Sequence, residues 1–224
     1  MMDELFDRSA AISVRRAVVS DALLEANAFR TAIPRRAPSK PAQVLLPVIE
    51  RLVSRHRGEH GRSSAIHDVV DYGCGHGVDV LYFRSQGLRA AGFEPHAPYG
   101  WSSKLPEHSA RVVVSTYVLN VIPTVAGRRK VLASMARLAA PGGFLVISAR
   151  SERAVQREAA RNSWAPYRDG YISHPSKSTF QHGCSVREIT QMGKTLGLIP
   201  IRMQPDLERH DASCVVFRVP DPSA

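Results

Sequence analysis

The stretch VVDYGCGHGVDV, Val69 to Val80, sets Asp71 just ahead of three glycines at alternate positions, Gly73, Gly75 and Gly77. Glycines spaced this way free the backbone to adopt conformations closed to other residues and to approach a ligand closely. Glu94 stands 23 residues after Asp71, between Phe93 and Pro95. A carboxylate there can accept from both hydroxyls of a ribose, which points to an adenosine ligand. The spacing differs from the G-x-G-x-x-G of nicotinamide binders, and an acid precedes the glycines, so a ligand without a pyrophosphate is favoured over a nicotinamide cofactor. Asp71 has a second reading, as a cap for the helix that follows. Cys74 reads as a small loop filler, because nothing near it in sequence would lower its thiol pKa. His76 and Asp79 read as polar residues at a helix start.

Two further polar side chains, Tyr117 and Asn120, lie in STYVLNVIP, at the end of a β-branched run. Their ordinary reading is a strand-end tyrosine and a helix cap. The three cysteines, Cys74, Cys184 and Cys214, show no paired spacing. No metal site is therefore expected, and a reduced, cytoplasmic setting is. The formal charge of +10 raises the question of an anionic partner. Yet the basic clusters Arg15-Arg16, Arg35-Arg36, Arg55-His56-Arg57 and Arg128-Arg129-Lys130 are scattered and not interleaved with aromatics. A small molecule is thus the expected partner, ahead of nucleic acid. No run approaches the roughly 20 apolar residues of a membrane span, so no membrane partner is expected. The oligomeric state is not legible.

These residues need elements to hold them. The apolar spacing predicts an amphipathic helix over Ser9–Phe29 and a second over Ala42–Arg57, ended by Gly58. Pro34, Pro38 and Pro41 keep the segment between them irregular. From His67 the pattern alternates: strand HDVVDYG, helix GVDVLYFRSQG, strand LRAAGFEP, strand ARVVVSTYVL, helix AGRRKVLASMARLA, a PGG turn and strand GFLVISAR. That order implies right-handed crossovers and a mostly parallel α/β sheet. A helix over Ser185–Leu196 and the runs LIPIRMQP and SCVVFRVP add an antiparallel end. Only 17 residues separate Glu94 from Val112, with three prolines and a glycine among them. The third-strand region is therefore expected to be reduced.

The D-x-G-x-G-x-G loop with Glu94 resembles the first motif of class I S-adenosylmethionine-dependent methyltransferases. The resemblance implies a Rossmann-like fold and S-adenosylmethionine as cofactor or substrate, with Asp71 ordering the loop, Gly73, Gly75 and Gly77 passing under the ligand, and Glu94 on its ribose. It divides the chain into an N-terminal helical lid, residues 1–60, and a catalytic domain, residues 61–224. The Asn/Asp-Pro-Pro-aromatic pattern of nucleobase methylation is absent. More narrowly, FRTAIPRRAPSKP, DYGCGHGVDVLYFRSQGLRAAGFEPH, VLNVIP and STFQHGCSVREI are similar to a subgroup containing methyltransferase-like proteins associated with DNA phosphorothioation and the azetidine-2-carboxylate synthases. The latter cyclise S-adenosylmethionine and release methylthioadenosine. If the chain cyclises its substrate in that way, Arg30, Thr31 and Arg35 are expected to hold the methionine carboxylate, and Tyr117 and Asn120 to orient the amine or exclude the extended conformer. Thr179, Phe180 and Gln181 are then expected to close the pocket, although that loop can equally be packing on the sheet. Methyl transfer to a small molecule is the alternative activity. Arg111 stands where relatives would have an acid opening the fourth strand, and its role is open.

Overall fold

The computed structural model describes residues 19–60, 66–95, 99–203 and 207–221. Two helices, α1 (Asp21–Ala26) and α2 (Lys40–His60), precede a central six-stranded sheet. The first strand, β1 (His67–Tyr72), is followed by helix α3 (Val78–Ser85), β2 (Ala90–Phe93), β3 (Ala110–Thr116), α4 (Val125–Leu138) and β4 (Ala139–Arg150). Behind β4 come α5 (Glu152–Arg161), the short strands β5 (Ala165–Tyr167), β6 (Gly170–His174) and β7 (Thr179–Gln181), α6 (Val186–Thr195), β8 (Ile199–Pro200) and β9 (Ala212–Arg218). The strand order is β2-β1-β3-β4-β9-β8, with β9 antiparallel to both neighbours and β1 to β4 mutually parallel. The expected fold class is the observed one. Among the described residues the third-strand region reduces to a single parallel bridge, Phe93 to Ser102.

The sheet's strands are buried on both faces, which is why β3 reads as unbroken apolar sequence. Val112, Val114 and Val146 face Leu45, Ile49 and Leu52 of α2 and Phe83 of α3. Val113, Leu145 and Ile147 face Leu132 and Met135 of α4 and Ile189 of α6. Arg111 sits at the foot of β3, only 4% exposed, and its guanidinium donates to Asp68 at 3.1 Å. Arg57 and Arg89 reach the same carboxylate. The open question about Arg111 is answered by this carboxylate on β1: the position carries a structural charge partner.

Three boundaries differ from the sequence expectation. Ser20 caps α1, accepting from the Leu23 amide at 3.2 Å, so the predicted Ser9–Phe29 helix starts afresh at Asp21; positions 9–18 lie outside the described residues. Asn27 ends it by folding its own amide back onto the Leu23 carbonyl, and a 3-10 turn over Ala28–Thr31 follows. Helix α2 runs past Gly58 to His60, because Glu59 pairs with Arg55 one turn back and with Arg218 of β9. The PGG segment lies inside β4, where the register jumps from Ala139 opposite Ala110 to Phe144 opposite Val112. A side chain at Gly143 would strike the Ala140 and Arg111 carbonyls, which is why glycine is needed there.

The three-stranded sheet β5-β6-β7 has no counterpart in the sequence expectation. Its strands are three to five residues long, too short for periodicity to register. Phe180, Ile172 and Leu24 form a small core of their own, so this sheet carries helix α1. Asp21 adds a hydrogen bond from Tyr167 at 2.9 Å and an ion pair with Arg168.

Candidate functional site

A cavity of about 620 Å³ opens at the C-terminal ends of β1, β2 and β3, within the size range of small-ligand sites. The glycine loop forms its floor. Gly73, Gly75 and Gly77 have φ of 72°, 52° and 76°, conformations in which a side chain is strained. The loop is also crowded from behind. A Cβ on Gly73 would lie 2.4 Å from Val118, and one on Gly77 would lie 2.0 Å from the Trp101 ring. The Gly75 amide donates to Glu94 at 2.9 Å, which fixes that buried carboxylate beside the loop.

The segment before α2 forms the opposite wall. Ala32 comes within 3.2 Å of where a Gly75 Cβ would stand. Phe29 is held by Tyr99, whose hydroxyl donates to the Phe29 carbonyl at 3.0 Å while its ring lies 4.3 Å from that of His76. Ser39 caps α2 and donates from both its amide and hydroxyl to Asp79 at 2.7 Å, and Arg35 approaches Asp79 at 3.5 Å. Asp79, expected only as a helix-start residue, thus ties the wall to the glycine loop. The signal for this lay in Ser39-Lys40-Pro41, a helix start, but its partner is 40 residues away.

Asp71 also lines the cavity. It is 4% exposed, and no hydrogen bond to its carboxyl is formed among the described residues. The cap of α3 is Gly77, so the capping reading of Asp71 is not the observed one. Burial first, and then the neighbouring Asp79, pushes its pKa well above the usual carboxylate range. Tyr117, at the end of β3, has φ of 63°, a left-handed conformation uncommon for a bulky residue. Burial raises its phenol pKa. Burial likewise pushes the Cys74 thiol up, in keeping with a filler rather than a nucleophile.

The cavity therefore brings together Asp71, Gly73, Gly75, Gly77, Glu94, Thr31, Arg35 and Tyr117. Five expected site residues, Arg30, Asn120, Thr179, Phe180 and Gln181, do not line it. Arg30 points over the Phe29 ring, at 6.0 Å. Asn120 is 1% exposed and its side-chain amide donates to the Gln181 side-chain oxygen at 2.9 Å, and neither residue lines the cavity. Phe180, 1% exposed, is spent on the Leu24 core. Thr179 is buried beside it and hydrogen-bonds Ser173. Strand β7 backs the Ala28–Thr31 turn instead of facing a ligand. The same cavity reaches α1 and α4, where Ala22, Ala26, Val121, Ile122 and Val131 line it together with Glu25 and Lys130.

Among the described residues His182, Cys184 and Glu188 could offer ligand atoms to a metal within 4.8 Å of one another. His182 is already bonded to Glu188 at 2.9 Å, and the Arg128 guanidinium lies 3.5 Å from the same carboxylate. A metal ion would have to displace that bond and sit beside a fixed positive charge.

A family model described as a methyltransferase domain matches residues 26–188. The chain belongs to this methyltransferase family. The match spans the wall segment, the glycine loop and the start of α6, so the site's floor, its facing wall and the buried acid at the end of β2 all lie within it. Among solved structures, an S-adenosylmethionine-dependent methyltransferase from Methanosarcina mazei aligns with a TM-score of 0.54 at 12% identity, covering 68% of this chain and 92% of that one. The CcbJ methyltransferase of Streptomyces caelestis gives 0.54 at 14% identity, covering 87% and 96%. At such identities the likeness is one of fold. No curated protein matches the sequence. The cofactor of this methyltransferase fold is S-adenosylmethionine, and the cavity fits it. It offers a floor of bare backbone, a buried acid at the end of β2 and an arginine in the facing wall. No helix of the described residues is long and apolar enough to cross a membrane.

Proposed function

We propose that this methyltransferase-fold chain cyclises S-adenosylmethionine to azetidine-2-carboxylic acid, releasing methylthioadenosine. The observation that carries the reading is the wall of the cavity: the chain's own residues 28–35 stand against the glycine loop, fastened by Asp79, Tyr99 and Ala32. A reaction within one molecule needs that molecule held bent and shielded, and needs no acceptor. Positioning of this kind is worth about 7–11 kcal/mol in favourable cases. The sulfonium supplies an electrophilic γ-carbon and a neutral leaving group. Arg35 and Thr31 hold the carboxylate, Glu94 the ribose, and the glycine loop passes under the methionine chain. Tyr117, fixed by its own backbone strain, excludes the extended conformer. Within the expected lid, residues 1–60, the described residues 19–60 act as the lid in this reading, with α2 anchoring them to the sheet.

Methyl transfer to a small molecule is the second reading, and the apolar lining of the cavity at α1 and α4 is what favours it. Incubation of purified protein with S-adenosylmethionine alone, followed by mass spectrometry, decides between them. Cyclisation gives methylthioadenosine and the four-membered imino acid without an acceptor. Turnover only after an acceptor is added, with S-adenosylhomocysteine as product, refutes it.

A further inference from the structure

Asp71, Asp79 and Glu94 are each less than a tenth exposed and converge on one end of the cavity. Their charged neighbours are few. Asp79, on α3, takes both Ser39 donors and the Arg35 guanidinium, and Glu94, at the end of β2, takes the Gly75 amide. Cys74 and His76 are further titratable groups of the glycine loop, and Tyr117 faces the cavity from the end of β3. Glu25 and Lys130 also line the cavity, on the side of α1 and α4. Of the three acids, Asp71 is the one to which no donor among the described residues is directed. A buried carboxyl without a donor is costly unless a ligand completes it.

Resting on the cyclisation reading, we propose that Asp71 meets the α-ammonium of the substrate and takes its proton, making the amine the nucleophile. Asp71 removes one proton from the ammonium. The freed lone pair forms the N–Cγ bond as the Cγ–S bond breaks, and sulfur leaves with both bonding electrons as a neutral thioether. The ring nitrogen keeps two hydrogens as a secondary ammonium. Asp71 gives the proton up to solvent when the next ammonium binds beside it. The geometry suits this proton transfer, since the carboxyl sits at the strand end, under the glycine loop that passes beneath the methionine chain. Burial and the neighbouring acids raise the pKa of Asp71, which makes it a stronger base than an ordinary aspartate.

The test uses proton linkage as well as turnover. S-Adenosylhomocysteine carries the ammonium but has no sulfonium to displace. Its binding to wild-type protein is measured by calorimetry at mildly acidic pH in buffers of different ionisation enthalpy. Protons should be released on binding, because the ammonium lowers the raised pKa of Asp71. Methylthioadenosine, which has no ammonium, should release none, and Asp71→Asn should release none with either ligand. In the second measurement, formation of azetidine-2-carboxylate by Asp71→Asn should fall about 10²–10⁴-fold near neutrality, then climb with pH as solvent base replaces the carboxylate. Proton release that persists in Asp71→Asn, equal release with methylthioadenosine, or a pH–rate profile parallel to wild type would each overturn the proposal. Wild type that binds S-adenosylhomocysteine with Asp71-dependent release but forms no azetidine overturns cyclisation and the transfer step with it. That result is distinct from a wrong choice of residue, which the calorimetry alone exposes.

Discussion

At the scale of single residues, the site is built from conformations and charges that only the fold makes tolerable. Asp71 has a folded pKa above its unfolded one, so below the unfolded value its burial is not penalised, and stability is lost as pH rises from the unfolded value through the folded one. Ligand-free Asp71→Asn should therefore melt higher than wild type at alkaline pH, with the gap closing on acidification; thermal denaturation across a pH series measures it. Asp68 behaves in the opposite sense. Burial raises its pKa, but the bonds from Arg89 and Arg57 outweigh this and bring it to about 2. Its stabilisation is full above the ordinary aspartate value and is lost as pH falls through about 2, so Asp68→Asn should flatten the acid limb of the stability curve. Gly77→Ala combines a positive φ with a collision on Trp101 and should cost at least about 1–2 kcal/mol, read by denaturant titration. The glycines and Glu94 are legible in the sequence because their demand is local: a turn, a strand end, an acid at set spacing. Asn120 and Phe180 mislead because their partners, Gln181 and Leu24, lie 61 and 156 residues away in the chain. No spacing rule announces such a pairing.

At the scale of elements, the wall of the cavity depends on a helix too short to stand alone. Six residues cannot sustain a helix in water, so α1 exists through what it packs on. Leu24, fully buried on Phe180 and Ile172, is the main hold. Truncating it to alanine should cost about 2–5 kcal/mol locally, and that loss belongs to the lid and the small sheet more than to the main core. Hydrogen exchange should show Leu24→Ala accelerating amides over residues 20–35 while β1, β3 and β4 stay protected. Uniform acceleration would show that α1 is integral to global stability. The apolar period of the N-terminal sequence marks a helix, but not its extent, because Ser20 and Asn27 look like ordinary polar positions in that pattern and act as caps in the fold.

At the scale of the whole molecule, the charge of +10 is less available to outside partners than its size suggests. Arg57, Arg89 and Arg111 gather on Asp68, and Arg128 is wholly buried between Asp169 and Glu188. Removing one member of that last group should be expensive, about 3–5 kcal/mol for Arg128→Ala by chemical denaturation, since two carboxylates lose their cation. His182 belongs to the same cluster. Burial opposes its charge, but the Glu188 carboxylate more than compensates, so its pKa is raised. Its contribution is full below the unfolded value and disappears as pH rises through the folded one. The main sheet order follows from the alternation of strands and helices, and the trimmed third-strand region from the short interval after Glu94. The β5-β6-β7 sheet escapes such reading because nothing in three-residue strands distinguishes them from loop, although they back one wall of the site.

Cys74 is half-buried in the wall of the cavity, whereas Cys184 and Cys214 are buried in the core. The chain consequently carries one thiol whose modification reports on access to the ligand site and two that stay silent while the core is intact. A slow alkylating reagent becomes a gauge of occupancy without any engineered label. Its rate should drop when S-adenosylhomocysteine is bound and rise when the Leu24 anchor is removed.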